Sequence, residues 1–335
     1  MANHSAKVIL ILSACGIGLL LAGAVFLTSG AGEEVQKEES VQGDREGFIP
    51  VPGGNIWYRI VGADAPGTPL LVLHGGPGAS SDYLEPLKAL ADERPVIFYD
   101  QLGGGNSDRP GDPSLWTVNR SVAEIDAVCT ALDLDRVHIL GQSWGTALAV
   151  EYTLTAGRDR ARSLVLSAPC LSAGRWAADQ QAHIADLPED VRAAIREGEA
   201  SGDFASPEYQ EAMMVFYNRH VCRLEPWPDC LNRTFEKLGF PVYERMWGPS
   251  EFTVTGTLRD YDCTPRLGGI AVPVLFTCGE HDEASPVTTA YYAGLVPGAK
   301  IAVFPDASHE HHLEKSEEYL KTVREFLRLA ESGER

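Results

Sequence analysis

Gly141-Gln142-Ser143-Trp144-Gly145 follows the apolar run Val137-His138-Ile139-Leu140 and precedes Thr146-Ala147-Leu148-Ala149-Val150-Glu151-Tyr152. The three segments read as a strand, a sharp turn and a helix. In such a turn the central serine is held at strained backbone angles with its hydroxyl raised above the sheet. The flanking glycines remove Cβ atoms that would collide. Ser143 is therefore the candidate nucleophile. Glycine and serine are common in loops, so the five residues carry little weight alone; the strand before them and the helix after them supply it.

Continuous apolar runs extend the pattern on both sides. Leu70–Leu73, Val96–Tyr99, Leu164–Leu166, Val274–Phe276 and Ile301–Phe304 lack a polar face, as expected of strands covered on both sides. Helical stretches separate several of them, at 82–90, 122–132, 146–155 and 286–295, and a last helix is expected near 314–329. Alternating strands and helices predict an α/β fold: a mostly parallel sheet flanked by helices. Before them, Phe48–Val51 and Ile56–Val61 alternate across Pro52-Gly53-Gly54-Asn55, an antiparallel hairpin. Between Leu171 and Ser250 there are helical patterns at 176–187, 188–198, 206–222 and 231–238 but no strand. Such an insertion is expected to cap the C-terminal edge of the sheet, where open α/β sheets bind ligands. The expected division is 48–170 and 252–335 for the core and 171–251 for the cap.

The N-terminus differs in kind. Positions 8–27 are almost unbroken in apolarity, with Lys7 before them and Glu33, Glu34, Glu38 and Glu39 after. Twenty helical residues cross a bilayer core. Residues 1–31 thus read as a retained signal anchor, a cleaved signal ending near Ser29-Gly30-Ala31, or a lipoprotein signal with Leu12-Ser13-Ala14-Cys15 as its processing box. Each reading places the enzyme body outside the cytoplasm, with membrane contact only through this segment. Residues 32–47, polar and acidic, read as a flexible linker. In the 335-residue chain, Lys and Arg number 28 against 47 Asp and Glu, a formal charge of −19, which argues against nucleic acid as a partner. A cationic ligand would be attracted, although a solvated acidic surface is the simpler account.

Acyl transfer by a serine requires a base, an acid to orient it, and donors for the oxyanion. In an α/β-hydrolase sheet these follow strands in the order Ser, Asp or Glu, His. Asp282 follows the strand at 274–276, and His309 follows the strand at 301–304. His311 and His312 compete as base, and Asp306, Glu280 and Glu283 compete as acid. His74-Gly75-Gly76-Pro77-Gly78 follows Leu70–Leu73 directly; consecutive glycines let N–H groups turn toward a ligand. The N–H groups of Gly76 and Trp144 are the expected oxyanion donors.

Five stretches together resemble the proline iminopeptidase (prolyl aminopeptidase) family of α/β-hydrolase serine peptidases. They are the 74–78 loop, Asp100-Gln-Leu-Gly-Gly-Gly-Asn-Ser107, Gly141–Gly145, Trp247-Gly-Pro-Ser-Glu251-Phe-Thr-Val-Thr-Gly256 and Gly279-Glu-His-Asp282-Glu283. The resemblance covers nearly everything from residue 48 onward. It implies an α/β-hydrolase fold, Ser143 as nucleophile, Asp282 as acid, His309 as base, and Glu251 and Glu283 as the carboxylates that hold a free N-terminal amine. An ammonium is the only group that separates a peptide's start from its interior, and two carboxylates in a partly dry site would bind it strongly. Gly104-Gly105-Asn106 and Glu310-His311-His312 depart from the family pattern.

Cys222 and Cys230 bracket a short loop in the cap, which an extracytoplasmic disulfide would close; no cysteine spacing suggests a metal site. The expectation is a serine exopeptidase that releases an N-terminal residue, preferentially proline, from short peptides or amino-acid amides with a free N-terminus. No cofactor is implied. An amidase or esterase on the same scaffold is the nearest rival, and a non-catalytic surface binding protein the more distant one. An epoxide hydrolase or dehalogenase would need an Asp where Ser143 stands. The oligomeric state is not set by these patterns.

Overall fold

The computed structural model describes residues 44–333. The apolar run at 8–27, Cys15 and most of the acidic linker lie outside the described residues. Among those described, no helix is long and apolar enough to cross a membrane.

Eight strands form one sheet in the order β1-β2-β4-β3-β5-β6-β7-β8. They are β1 (Arg45–Val51), β2 (Gly54–Val61), β3 (Leu70–Leu73), β4 (Val96–Tyr99), β5 (Val137–Gln142), β6 (Ala161–Ser167), β7 (Val274–Gly279) and β8 (Lys300–Phe304). The hairpin β1–β2 and the β2–β4 pair are antiparallel, and every later pair is parallel. The period of two divides the central strands between two cores. Ile139, Leu164, Leu166 and Phe276 point into one, with α1 (Val118–Ala131) and α2 (Trp144–Leu154). Leu140, Val165 and Leu275 point into the other, with Tyr319, Val323 and Leu327 of the C-terminal helix at 316–332. Both faces are therefore covered, which is why these strands carry no polar face. Truncating Leu140 to Ala would cost roughly 2–5 kcal/mol.

Several expectations require correction. β1 begins at Arg45, so the end of the presumed linker is strand, with Gly47 in register with Tyr58 and Asp44 ion-paired to Arg59 at 3.1 Å. The segment at 82–92 is a 3-10 helix with Pro86 inside it. β8 is covered on one side only: it is the sheet edge, and Ile301 and Val303 are 42% and 44% exposed.

The insertion between β6 and β7 carries five α-helices, α3 (Ala173–Ala185), α4 (Glu189–Ser201), α5 (Pro207–His220), α6 (Asp229–Glu236) and α7 (Phe240–Met246), and a 3-10 helix at Thr264–Gly269 leads into β7. Ile184, Ile195, Tyr209, Met213, Phe216 and Phe252 give it a core of its own. Hydrogen bonds seat it on the core, among them Gly239 N–H to the Gly78 carbonyl at 2.7 Å, Tyr83 N–H to Thr234 Oγ1 at 3.0 Å and His309 N–H to the His220 carbonyl at 3.0 Å. Beside the first two, Arg233 reaches Asp82 and Glu85 at 3.3 and 2.7 Å, and Lys237 reaches Asp82 at 3.0 Å.

Cys222 and Cys230, expected to pair, are free thiols in this structure. Hydrogen bonds hold their loop instead: Trp227 Nε1 donates to the Cys222 carbonyl and Asn232 Nδ2 to the Trp227 carbonyl, each at 3.1 Å.

Candidate active site

The turn after β5 explains its own sequence. A Cβ on Gly141 would lie 2.3 Å from the Gly145 carbonyl oxygen, and one on Gly145 would lie 2.1 Å from that of Leu73. Only glycine fits where backbone approaches backbone so closely. Between them Ser143 adopts φ 53° and ψ −123°, a strained conformation for a residue with a side chain. Two hydrogen bonds fix it: Ser143 N–H donates to the Ser167 carbonyl, and the Ser143 carbonyl accepts from Thr146 N–H, both at 2.9 Å.

β7 and β8 deliver the other two groups. Asp282, fully buried, accepts from Gly279 N–H at 3.1 Å and Ala284 N–H at 2.8 Å, and its Oδ1 lies 2.8 Å from His309 Nδ1. A proton on Nδ1 satisfies that contact, which leaves Nε2 free to accept one. The Trp176 ring stands edge-on to the imidazole at 5.6 Å between centroids. Ser143 and His309 line one cavity.

Of the competing residues, Glu283 lies in the same cavity, and the other four lie outside its lining. His311 Nε2 bonds Thr277 Oγ1 and Ser167 Oγ at 2.9 and 3.0 Å beneath the site, and burial pulls its imidazole down to about 4. His312 Nε2 donates to the Tyr83 carbonyl at 3.0 Å. Glu280 and Asp306 are exposed and bonded to each other, Asp306 N–H donating to Glu280 Oε2 at 3.0 Å.

Gly76, with φ 106°, borders the cavity opposite the start of α2. Its N–H and that of Trp144 donate to no other group among the described residues. The loop between them is braced from below. Tyr83 Oη accepts from Gly75 N–H at 2.7 Å and donates to Gln142 Oε1 at 2.5 Å, while Trp144 Nε1 donates to Gln101 Oε1 at 3.1 Å.

Glu251 and Glu283 meet in the same cavity, one from the insertion and one from the loop after β7. Tyr243 Oη donates to Glu251 Oε1 at 2.7 Å, and the indole N–H groups of Trp176 and Trp247 hold the Glu251 carbonyl at 2.9 and 3.3 Å. Glu283 is 1% exposed; its Oε1 lies 3.5 Å from His309 Nε2 and its Oε2 has no partner among the described residues. Burial raises both carboxyls above their ordinary range, and their mutual repulsion adds to the rise at Glu283. Burial pulls His309 down, but Glu283, Asp282 and Glu310 outweigh it and hold the imidazole at about 10. With the cavity empty, His309 and the carboxyls around it share protons. An entering ammonium would take over the negative field and release the imidazole to act as a base.

Tyr243, Trp176 and Glu310 escaped the sequence reading. Trp176 sits on a helix whose pattern reports only burial, and Tyr243 on one too short to show a pattern. Glu310 stood out as unusual without a role.

Three comparisons bear on this geometry. The family model described as the α/β hydrolase fold matches residues 68–316. The proline iminopeptidase of Heyndrickxia coagulans is 47% identical over 84% of this chain and 98% of its own length, and that of Saccharolobus solfataricus is 36% identical over 84% and 92%. Among solved structures, the proline iminopeptidase of Mycobacterium smegmatis superimposes with a TM-score of 0.79 at 37% identity, covering 86% of this chain and 99% of that one. VinJ gives 0.82 at 35%, covering 85% and 98%.

Proposed function

From the premise that this chain belongs to the proline iminopeptidase family of α/β-hydrolases, we propose that it is a serine exopeptidase releasing an N-terminal residue, preferentially proline, from short peptides. The supporting observation is the joint placement in one cavity of Ser143, the His309–Asp282 pair and two buried carboxyls, Glu251 and Glu283. The ammonium of the substrate docks between the two glutamates, which fixes the first carbonyl over Ser143. Ser143 Oγ attacks that carbonyl while His309 Nε2 takes the hydroxyl proton, and the oxyanion draws on the Gly76 and Trp144 N–H groups. The tetrahedral adduct collapses with the C–N bond breaking, and His309 returns the proton to the departing amine. Water, deprotonated by His309, then attacks the acyl-serine ester and frees the amino acid.

The test is a panel of prolyl, alanyl and N-acetylprolyl arylamides. Free prolyl amide should be turned over fastest and the blocked one hardly at all. Equal turnover of the blocked amide would sink the exopeptidase and leave an amidase.

The enzyme body belongs, in this proposal, outside the cytoplasm. The apolar run at 8–27, with Lys7 before it and four glutamates after it, supports that placement. Recovery of the full chain in the cytosolic fraction of its own cell would exclude it.

A further inference from the structure

Glu310 follows His309 in the chain and lines the same cavity, yet the reaction above gives it no task. It is 5% exposed, and its Oε2 has no hydrogen-bond partner among the described residues. His312 Nδ1 lies 3.6 Å away, beyond hydrogen-bond reach, and burial keeps that imidazole neutral by drawing it down to about 3. The other ionisable groups that act on Glu310 are His309, Glu314, Asp282 and Glu251, and burial pushes its own carboxyl up to about 8. Glu314 is already engaged, accepting from the N–H groups of Arg223 and Ser308 and from Ser308 Oγ.

A count of charges shows what is missing. Three glutamates line the cavity, Glu251, Glu283 and Glu310, against one imidazole and neither Lys nor Arg. Asp282 answers His309, and one terminal ammonium answers Glu251 and Glu283 together. Glu310 is left over. A buried carboxylate without a counter-ion costs stability, and ionisable groups perturbed in this way cluster at functional sites. Among the other lining residues, Val221, Leu231 and Phe235 offer an apolar surface along which the stem of a long basic side chain can lie with its charged end at a carboxylate.

We propose that Glu310 is a specificity determinant that selects peptides carrying a second cationic group, a Lys or Arg side chain on the first or second residue, in addition to the terminal ammonium. The proposal rests on the exopeptidase reading above. It is tested by kcat/KM of the full chain and its Glu310→Gln variant on two panels. Pro-Lys and Pro-Arg against Pro-Ala and Pro-Leu probe the second residue, and lysyl and arginyl against alanyl and leucyl arylamides probe the first. In one panel the wild type should favour basic over neutral substrates by about tenfold or more, and in Glu310→Gln that ratio should fall toward one. Reading the ratio cancels any general loss from a change beside His309. Should Glu310→Gln not fold, Glu310→Asp, which keeps the charge on a shorter arm, must narrow the ratio. A wild-type ratio near one in both panels, or a ratio that survives the substitution, overturns the proposal. Failure of the exopeptidase reading itself would appear separately, as equal turnover of N-acetylated and free prolyl amides.

Discussion

Two sets of carboxylates lie on either side of α6, and the molecule treats them in opposite ways. At the seam between insertion and sheet, Asp82 and Glu85 face Arg233, Lys237 and Lys88. Partial burial alone would raise both, but hydrogen bonds and ion pairs with these cations and Ser80 outweigh it and hold both carboxyls below their ordinary range. In the cavity, Glu251, Glu283 and Glu310 have no cation but His309 to share, and burial drives all three up. Proximity to acid therefore distinguishes nothing by itself; the presence of a partner does. One region is complete and structural. The other lacks a positive charge, which in the proposed function the substrate brings.

The most severe way to break this contrast is Ser143→Ala. Removing the nucleophile should lower kcat on prolyl arylamides by ~10⁴-fold or more. Retained turnover would mean that chemistry happens elsewhere and that the cavity carboxyls need another explanation.

Next in size come Glu251→Gln and Glu283→Gln. Each removes one charge-assisted contact to the ammonium and should cost ~10²-fold in kcat/KM on free-amine substrates. An acetyl ester, which carries no amine, should be affected far less. Its pH profile sharpens the point. Activity requires neutral His309, so it climbs as pH rises through the imidazole's pKa, and Glu283 is the group that raises that pKa most. In Glu283→Gln the acid limb of ester hydrolysis should move to lower pH. A limb that stays put would separate Glu283 from the base.

The two regions also differed in how far the sequence disclosed them. The three residues of the proposed triad are legible because each follows an apolar strand and the chain order is fixed by the sheet: β5 then Ser143, β7 then Asp282, β8 then His309. Local sterics wrote the first of these directly, since Gly141 and Gly145 cannot carry a Cβ. The insertion is less legible. Its four longer helices show periodicity, but Phe240–Met246 has seven residues with Pro241 among them, too few turns for a pattern to emerge. Yet that helix carries Tyr243, which holds Glu251. Glu251 itself lies in a polar loop, and only the resemblance singled it out. Tertiary contacts between segments far apart in sequence place Glu251 in the cavity, and no spacing along the chain encodes it; Glu310 adjoins His309, but that adjacency does not show that its side chain turns inward.

The contrast predicts stability shifts of opposite sign. Glu310 has its pKa raised on folding to about 8, so its contribution is fully favourable below the unfolded value near 4 and is lost as pH rises through about 8. At pH 8 Glu310→Gln should therefore raise Tm, by ~2 °C or more, and the gain should vanish near pH 4. Glu85→Gln should lower Tm at pH 8. A fall in Tm for Glu310→Gln at pH 8 would reveal a partner for that carboxyl and undo the distinction between the regions.

The smallest effect is the seam's own. Arg233 is 41% exposed and touches two carboxylates, of which Asp82 keeps Lys237 when the arginine is gone. Solvent screens such a pair, so Arg233→Ala should cost no more than ~1 kcal/mol in urea unfolding at pH 7, and less in 1 M salt. Asp82 and Glu85 have depressed pKa values, so the stability they contribute is present above their unfolded values near 4. It is lost as pH falls through the folded ones, and the difference between wild type and variant should close in acid. A loss of several kcal/mol that resists salt would instead mark carboxyls stranded in a dry seam. The seam would then behave like the cavity with its cation withheld, and the paired and unpaired acids of this protein would differ only in which partner had been removed.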